Sequence, residues 1–292
     1  MQESPHLRDP TAWISGVIQD FTSASAANRL GPSLTEKAFD LPLVGFASGA
    51  DAIFEEYVNH IGEFYLTPLA IFHQAFPQAA RVQARELTVI SWILPSTSAT
   101  RKEQADRHKQ PSRRWAHTRL WGERFNEALR RHVVETLAAR GIASVAPMLA
   151  PFWSRSDRGP YAPCSNWSER HAAYAAGLGT FGLCDGLITP LGKAMRTGSV
   201  VARVQVPPTR RPYTDRHAYC LHYSHGTCGK CIQRCPVRAL SAAGHDKKRC
   251  MQYTEHSMHA YMSQHYQLDT YACGLCQVAV PCMDHIPSPV EG

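Results

Sequence analysis

The sequence predicts an α+β fold in two parts, on three observations. Helix-period and strand-like apolar runs alternate up to about residue 206, a turn-rich stretch "PPTRRPY" follows, and eight of the ten cysteines then fall between 220 and 282. With 292 residues and 44% hydrophobic composition, the chain can bury a core without disulfide staples.

The elements follow from local pattern. In "DPTAWISGVIQDF", Trp13, Ile14, Val17, Ile18 and Phe21 share one helical face behind an Asp-Pro-Thr start, which predicts a first helix. "DAIFEEYVNHIG" repeats the pattern through Ile53, Phe54, Tyr57, Val58 and Ile61. "ELTVISWILP" is a compact apolar run suited to a buried strand that stops at Pro95. The polar segment "STSATRKEQADRHKQP" has no apolar periodicity and reads as a loop or lid, or simply as a solvated surface. Residues 112–140 predict a long helix with Trp115, Phe125, Leu129, Val133 and Leu137 as an irregular stripe, a bend near Gly122 and a stop at Gly141. A short strand "IASVAP", a Pro-rich loop, a helix capped by Ser168 and two strand-like runs, "DGLITP" and "GSVVARVQV", complete a mixed segment. The expected domains are an N-terminal helical extension over 1–45, a mixed domain over 46–208 and a cysteine-rich domain over 209–292.

"MQESPHLRDP" lacks a basic-then-apolar leader, and no run reaches the roughly 18 apolar residues of a membrane span, so a soluble cytoplasmic protein is expected. In a reducing compartment clustered cysteines are metal ligands more often than disulfides. The formal charge of +7 hints at an acidic partner, yet eight thiolates on two 4Fe-4S cores would lower it to about +3. Basicity is therefore weak evidence for RNA.

"CGKCIQRCP" sets Cys228, Cys231 and Cys235 before Pro236, matching the last three positions of the bacterial ferredoxin run C-x2-C-x2-C-x3-C-P. The first position, 225, is His225, and the nearest upstream thiol is Cys220; either can complete the set, and Cys220 is the preferred reading. Cys250 and "CGLCQVAVPC" supply Cys273, Cys276 and Cys282. In a two-cluster ferredoxin the halves exchange their last ligand, which implies one cluster on Cys220, Cys228, Cys231 and Cys282 and a second on Cys235, Cys250, Cys273 and Cys276. A pair of zinc sites is the rival, since C-x2-C also suits tetrahedral zinc.

At "SERHAAYAAGLGTFGLCDGLITP" the chain resembles the superfamily of epoxyqueuosine reductases and reductive dehalogenases, over roughly residues 85–285. The resemblance is carried by Glu169 with Gly177-Leu178-Gly179 and Gly182, by "GLITP" with Arg196 and "GSV", and by the eight cysteines. It implies a nitroreductase-like domain that binds base-off cobalamin, followed by a two-cluster ferredoxin-like domain. Gly177, Gly179, Gly182, Thr189 and Arg196 would then lie against the corrinoid, although the same glycines suit helix capping and tight turns. "DRHKQP" lacks the glycine of the D-x-H-x-x-G pattern, so no histidine ligand to cobalt is read.

Two departures bear on the substrate. Aligned on Gly122, the Gly-x-Asp-Tyr-His stretch of epoxyqueuosine reductases becomes Arg124-Phe125-Asn126, and the acid expected six residues before Glu169 is Pro163, followed by Cys164. Both count against tRNA. Candidate proton donors are Tyr161, Cys164 and Glu169; the bland alternatives are a packing tyrosine, a small buried thiol like Cys184, and a helix-supporting carboxylate. Three functions are carried forward. The first is a corrinoid reductase acting on a small organic molecule and fed by a low-potential donor of ferredoxin or flavodoxin type. The second is an enzyme reducing a tRNA nucleoside, and the third is a corrinoid-free electron carrier that serves a partner.

Overall fold

The structure is a computed structural model and describes residues 9–159 and 161–289. Residues 1–8, in which no leader is read, lie outside that range. At its centre is a four-stranded antiparallel sheet in the order Leu43–Ser48, Thr88–Pro95, Met195–Ala202, Ser144–Val145. Every residue of Thr88–Pro95 is buried, as the unbroken apolar run requires of a strand covered on both faces. Alternation then sorts its side chains between two cores.

Val89 and Ile93 point to one face, where Phe54, Tyr57, Ile71, Phe72, Trp167 and Ala172 pack. These residues come from the helices Ile53–Ile61, Pro68–Ala75 and Glu169–Ala175 and the loop before the last of them. Ile90, Trp92 and Leu94 point to the other face, under the helices Pro10–Ala24 and Glu123–Ala138. The first helix starts as the sequence predicts, with the Asp9 carboxylate accepting from Ala12 N. The expected boundary at 45/46 falls inside the strand Leu43–Ser48, so the N-terminal helix shares a core with the sheet.

The long helix breaks where expected. Arg113–His117 passes through a π-helical turn, Thr118–Gly122, into Glu123–Ala138. The segment read as a loop or lid holds a helix, Ser98–Ala105, capped by Thr97. Its buried face is polar, Thr100 and Gln104, and docks through hydrogen bonds, which an apolar periodicity cannot reveal. Gln104 Nε2 donates to Cys273 O at 2.7 Å, and Ser112 N donates to Gln104 Oε1 at 2.6 Å.

The connector after the sheet lies along it rather than spanning free space: Thr209 Oγ1 accepts from Phe46 N, and Arg211 pairs with Asp51. The cysteine-rich part has short helices at Leu221–His225, Lys230–Gln233, Lys247–Gln252 and His259–Tyr266 and a hairpin of Leu240–Ser241 with Gly244–His245. Its last loop rests on the first part. Gly274 has φ +68°, and a Cβ there would enter the Trp115 indole, so only glycine fits. Among the described residues no helix is long and apolar enough to cross a membrane.

Candidate metal centres and a buried ion cluster

Cys220, Cys228, Cys231 and Cys282 line a single small cavity, together with Lys193. Cys220 caps the helix Leu221–His225 and is buried, and Cys231 lies in the helix Lys230–Gln233. Cys282 is brought in by the last loop, which is tied to the first domain where Lys193 N donates to Cys282 O at 3.0 Å. His225, the rival ligand, is exposed, and its Nδ1 is bonded to Ser224 Oγ at 2.7 Å.

The second set is held by the helix Lys247–Gln252, the turn after Cys235 and the loop at 273–276. Ala239 N donates to Cys235 Sγ at 3.1 Å. Burial pushes the Cys273 thiol up to about 12, and neighbouring Cys250 and Cys235 add to the rise. Burial likewise pushes the Cys231 thiol up to about 12. Such thiols ionise readily only when a metal takes the proton's place.

At the spacing of a single ion, the described residues present no group of three Cys, His, Asp or Glu side chains. Four thiols around a void are instead the donor set of a cluster in which each of four irons takes one thiolate. The first set meets that requirement around its cavity, and Cys235, Cys250 and Cys273 of the second set lie near one another.

The corrinoid residues fare differently. Gly177 N donates to Tyr174 O at 3.1 Å, Gly179 N to Tyr213 OH at 3.3 Å and Gly182 N to Gly186 O at 2.8 Å. Thr189 Oγ1 donates to Gly192 O at 2.7 Å. A Cβ on Gly179 would fall on the Ile188 carbonyl oxygen, so this glycine admits a strand rather than a ligand. These amides are spent within the chain, and the set does not fit a face offered to a corrinoid's amide arms.

Arg196 and Glu169, assigned separate roles from the sequence, meet in one half-buried ion cluster around the buried Arg130. Glu123 is its hub, with Arg196 NH1 at 2.8 Å and Arg130 NH1 at 3.2 Å. Arg119 stands 4.0 Å from the same carboxylate. Arg130 NH2 reaches Glu169 Oε1 at 3.2 Å. Burial works against the Glu123 charge, but the three guanidiniums outweigh it and hold its carboxyl below the usual range. Glu169 goes the other way: burial outweighs Arg130 and raises it to about 7. Its Oε2 and the Nε of Arg196 are buried without a hydrogen-bond partner.

Glu123 and Arg130 were missed in the sequence, because charges on a helix ordinarily mark a solvated face. Their signal was a second stripe, Arg119, Glu123, Asn126 and Arg130, at the 4-3-4 spacing of one helical face. The two other proton-donor candidates lie apart from this cluster. Tyr161 is 39% exposed, beside His60 and Lys247. Cys164 sits in the two-stranded ribbon with Arg155–Ser156, its Sγ on the carbonyls of Ser156 and Arg158.

The fold is a mixed helix-and-sheet one, and it brings the clustered cysteines together in two groups. The curated relatives are epoxyqueuosine reductases. The chain is 30% identical over 120 residues to the one from Bacillus anthracis, covering 39% of this chain and 29% of that protein. It is 24% identical over 210 residues to the one from Lactococcus garvieae, covering 70% of this chain and 54% of that protein. The alignments thus span about half the length of these relatives at most. No family model matches. Structural neighbours include a catabolic reductive dehalogenase in complex with 3-bromo-4-hydroxybenzoic acid, with TM-score 0.49 and 14% identity, covering 84% of this chain and 30% of that one. They also include an epoxyqueuosine reductase with an epoxyqueuosine-modified tRNA-Tyr stem loop, with TM-score 0.45 and 14% identity, covering 93% and 66%. These relatives and neighbours come from the superfamily that the sequence resembles.

Proposed function

We propose that this chain is an iron-sulfur oxidoreductase that takes single electrons from a low-potential donor of ferredoxin or flavodoxin type. The observation that carries the reading is the ring of Cys220, Cys228, Cys231 and Cys282 around one cavity. When bound, two 4Fe-4S clusters supply electrons one at a time at low potential. The chain's own residues supply the proton. Glu169, raised to about 7, is partly protonated at neutral pH, on a carboxyl whose Oε2 is buried beside Ser199. Arg130 fixes that carboxyl, and Glu123 fixes Arg130 and Arg196. Arg119, at the far end of the same ion cluster, lies over the ring of Tyr271 at 5.2 Å, two residues before Cys273. The corrinoid implied by the resemblance enters no step, because the amides assigned to it are used within the chain.

Two substrates compete. The names of the relatives favour epoxyqueuosine in tRNA, which is the better supported reading. A small organic substrate rests on the departures at 124–126 and 163. Here Phe125 is a core residue, and Asn126 is spent on Trp92 Nε1 and Thr197 O, so these positions serve packing. The test is turnover of epoxyqueuosine-containing tRNA by the anaerobically reconstituted chain. Queuosine formation, with a tRNA affinity that falls steeply with salt, establishes the tRNA reading; no product from fully iron-loaded protein leaves the small-molecule reading or the electron carrier.

A further inference from the structure

Lys193 is buried, 3% exposed, and lines the cavity ringed by the first cysteine set. Its Nζ donates to Cys184 Sγ at 3.4 Å. Cys184 is also buried, in the apolar cluster against which Cys276 of the second set packs. Cys231 and Cys282 share the cavity with Lys193, Cys184 accepts from its Nζ, and the Lys193 backbone N–H is held by the Cys282 carbonyl. Among the described residues no carboxylate pairs with Lys193, and burying an ammonium is costly unless opposite charge compensates.

We infer that Lys193 and Cys184 form a hydrogen-bonded bridge between the two clusters that raises their reduction potentials. The inference rests on the iron-sulfur reading above. A 4Fe-4S core held by four thiolates is net 2− when oxidised and 3− after taking one electron, so a nearby fixed positive charge favours the reduced state. Hydrogen bonds to ligand sulfur act in the same direction, and here Lys193 orients Cys184, whose buried cluster Cys276 packs against. The ammonium is closest to the first set through the cavity and to the second through Cys184, so its removal affects both clusters. Removing the Cys184 thiol affects chiefly the second.

The test is a dithionite titration of the reconstituted full chain, followed by EPR. Wild type must first bind about eight irons with two cluster signals; if it binds none, the iron-sulfur reading itself fails. With wild type loaded, Lys193→Met lowers the reduction equilibrium of both clusters at least tenfold, or 59 mV for a one-electron couple. Lys193→Arg stays within that margin, and Cys184→Ala lowers the second cluster alone. If Lys193→Met loses iron, Lys193→Gln is titrated in its place. Midpoints in the neutral variants within that margin of wild type overturn the inference. So does loss of iron in both neutral variants with retention in Lys193→Arg, since the charge then holds the clusters rather than setting their potential.

Discussion

Glu169 and Cys220 carry the account at the scale of single residues. The folded pKa of Glu169, about 7, lies above the ordinary 4.5, so the folded chain holds a proton there that the unfolded chain has released. Its contribution to stability therefore falls as pH rises from about 4.5 to about 7 and is flat above that range. The full span is on the order of 3 kcal/mol. Denaturant unfolding at pH 5 and pH 8 should show this fall in wild type and a markedly smaller one in Glu169→Gln. An identical slope in the variant would place the carboxyl's titration elsewhere. Cys220→Ala should abolish or convert one cluster while the second keeps its signal, and His225→Ala should retain both, since His225 is exposed and bonded to Ser224. Retention of two intact 4Fe-4S spectra in Cys220→Ala would show that another group completes the first set.

Among the elements, the glycine turn and the helix Ser98–Ala105 separate what the sequence reveals from what it hides. A Cβ on Gly179 would fall on the Ile188 carbonyl, so Gly179→Ala should cost at least about 1–3 kcal/mol, read as a lower Tm with or without any added corrinoid. An unchanged Tm would return the glycine to a ligand-binding role. Gln104→Ala leaves Cys273 O and Ser112 N without their partner and should cost about 1–3 kcal/mol, with easier loss of the second cluster. Elements that bury apolar faces were legible. Ile14 and Ile18 marked the first helix, and the run through Trp92 marked the central strand. Those that dock through hydrogen bonds or ion pairs were not: Thr100 and Gln104 read as loop, while Glu123 and Arg130 went unread. The cysteines were the most legible part of the site, because a ligand's spacing along the chain survives in sequence. Lys193 was invisible there, since nothing in a lone lysine announces burial among thiols.

Over the whole molecule, the last loop carries Cys273, Cys276 and Cys282 onto the first domain. Gln104 holds Cys273, Trp115 covers Gly274, and Lys193 takes the Cys282 carbonyl. The two cysteine sets are thus seated against both parts of the chain, and the ion cluster reaches the loop of the second through Arg119 and Tyr271. The central claim is that eight cysteines hold two 4Fe-4S clusters. It is tested most directly by iron and acid-labile sulfide analysis after anaerobic reconstitution, with absorbance followed on adding dithionite. The account predicts eight irons and about eight sulfides per chain and a broad band near 400 nm that bleaches on reduction. About two zinc ions per chain, with no sulfide and no bleaching, would contradict it.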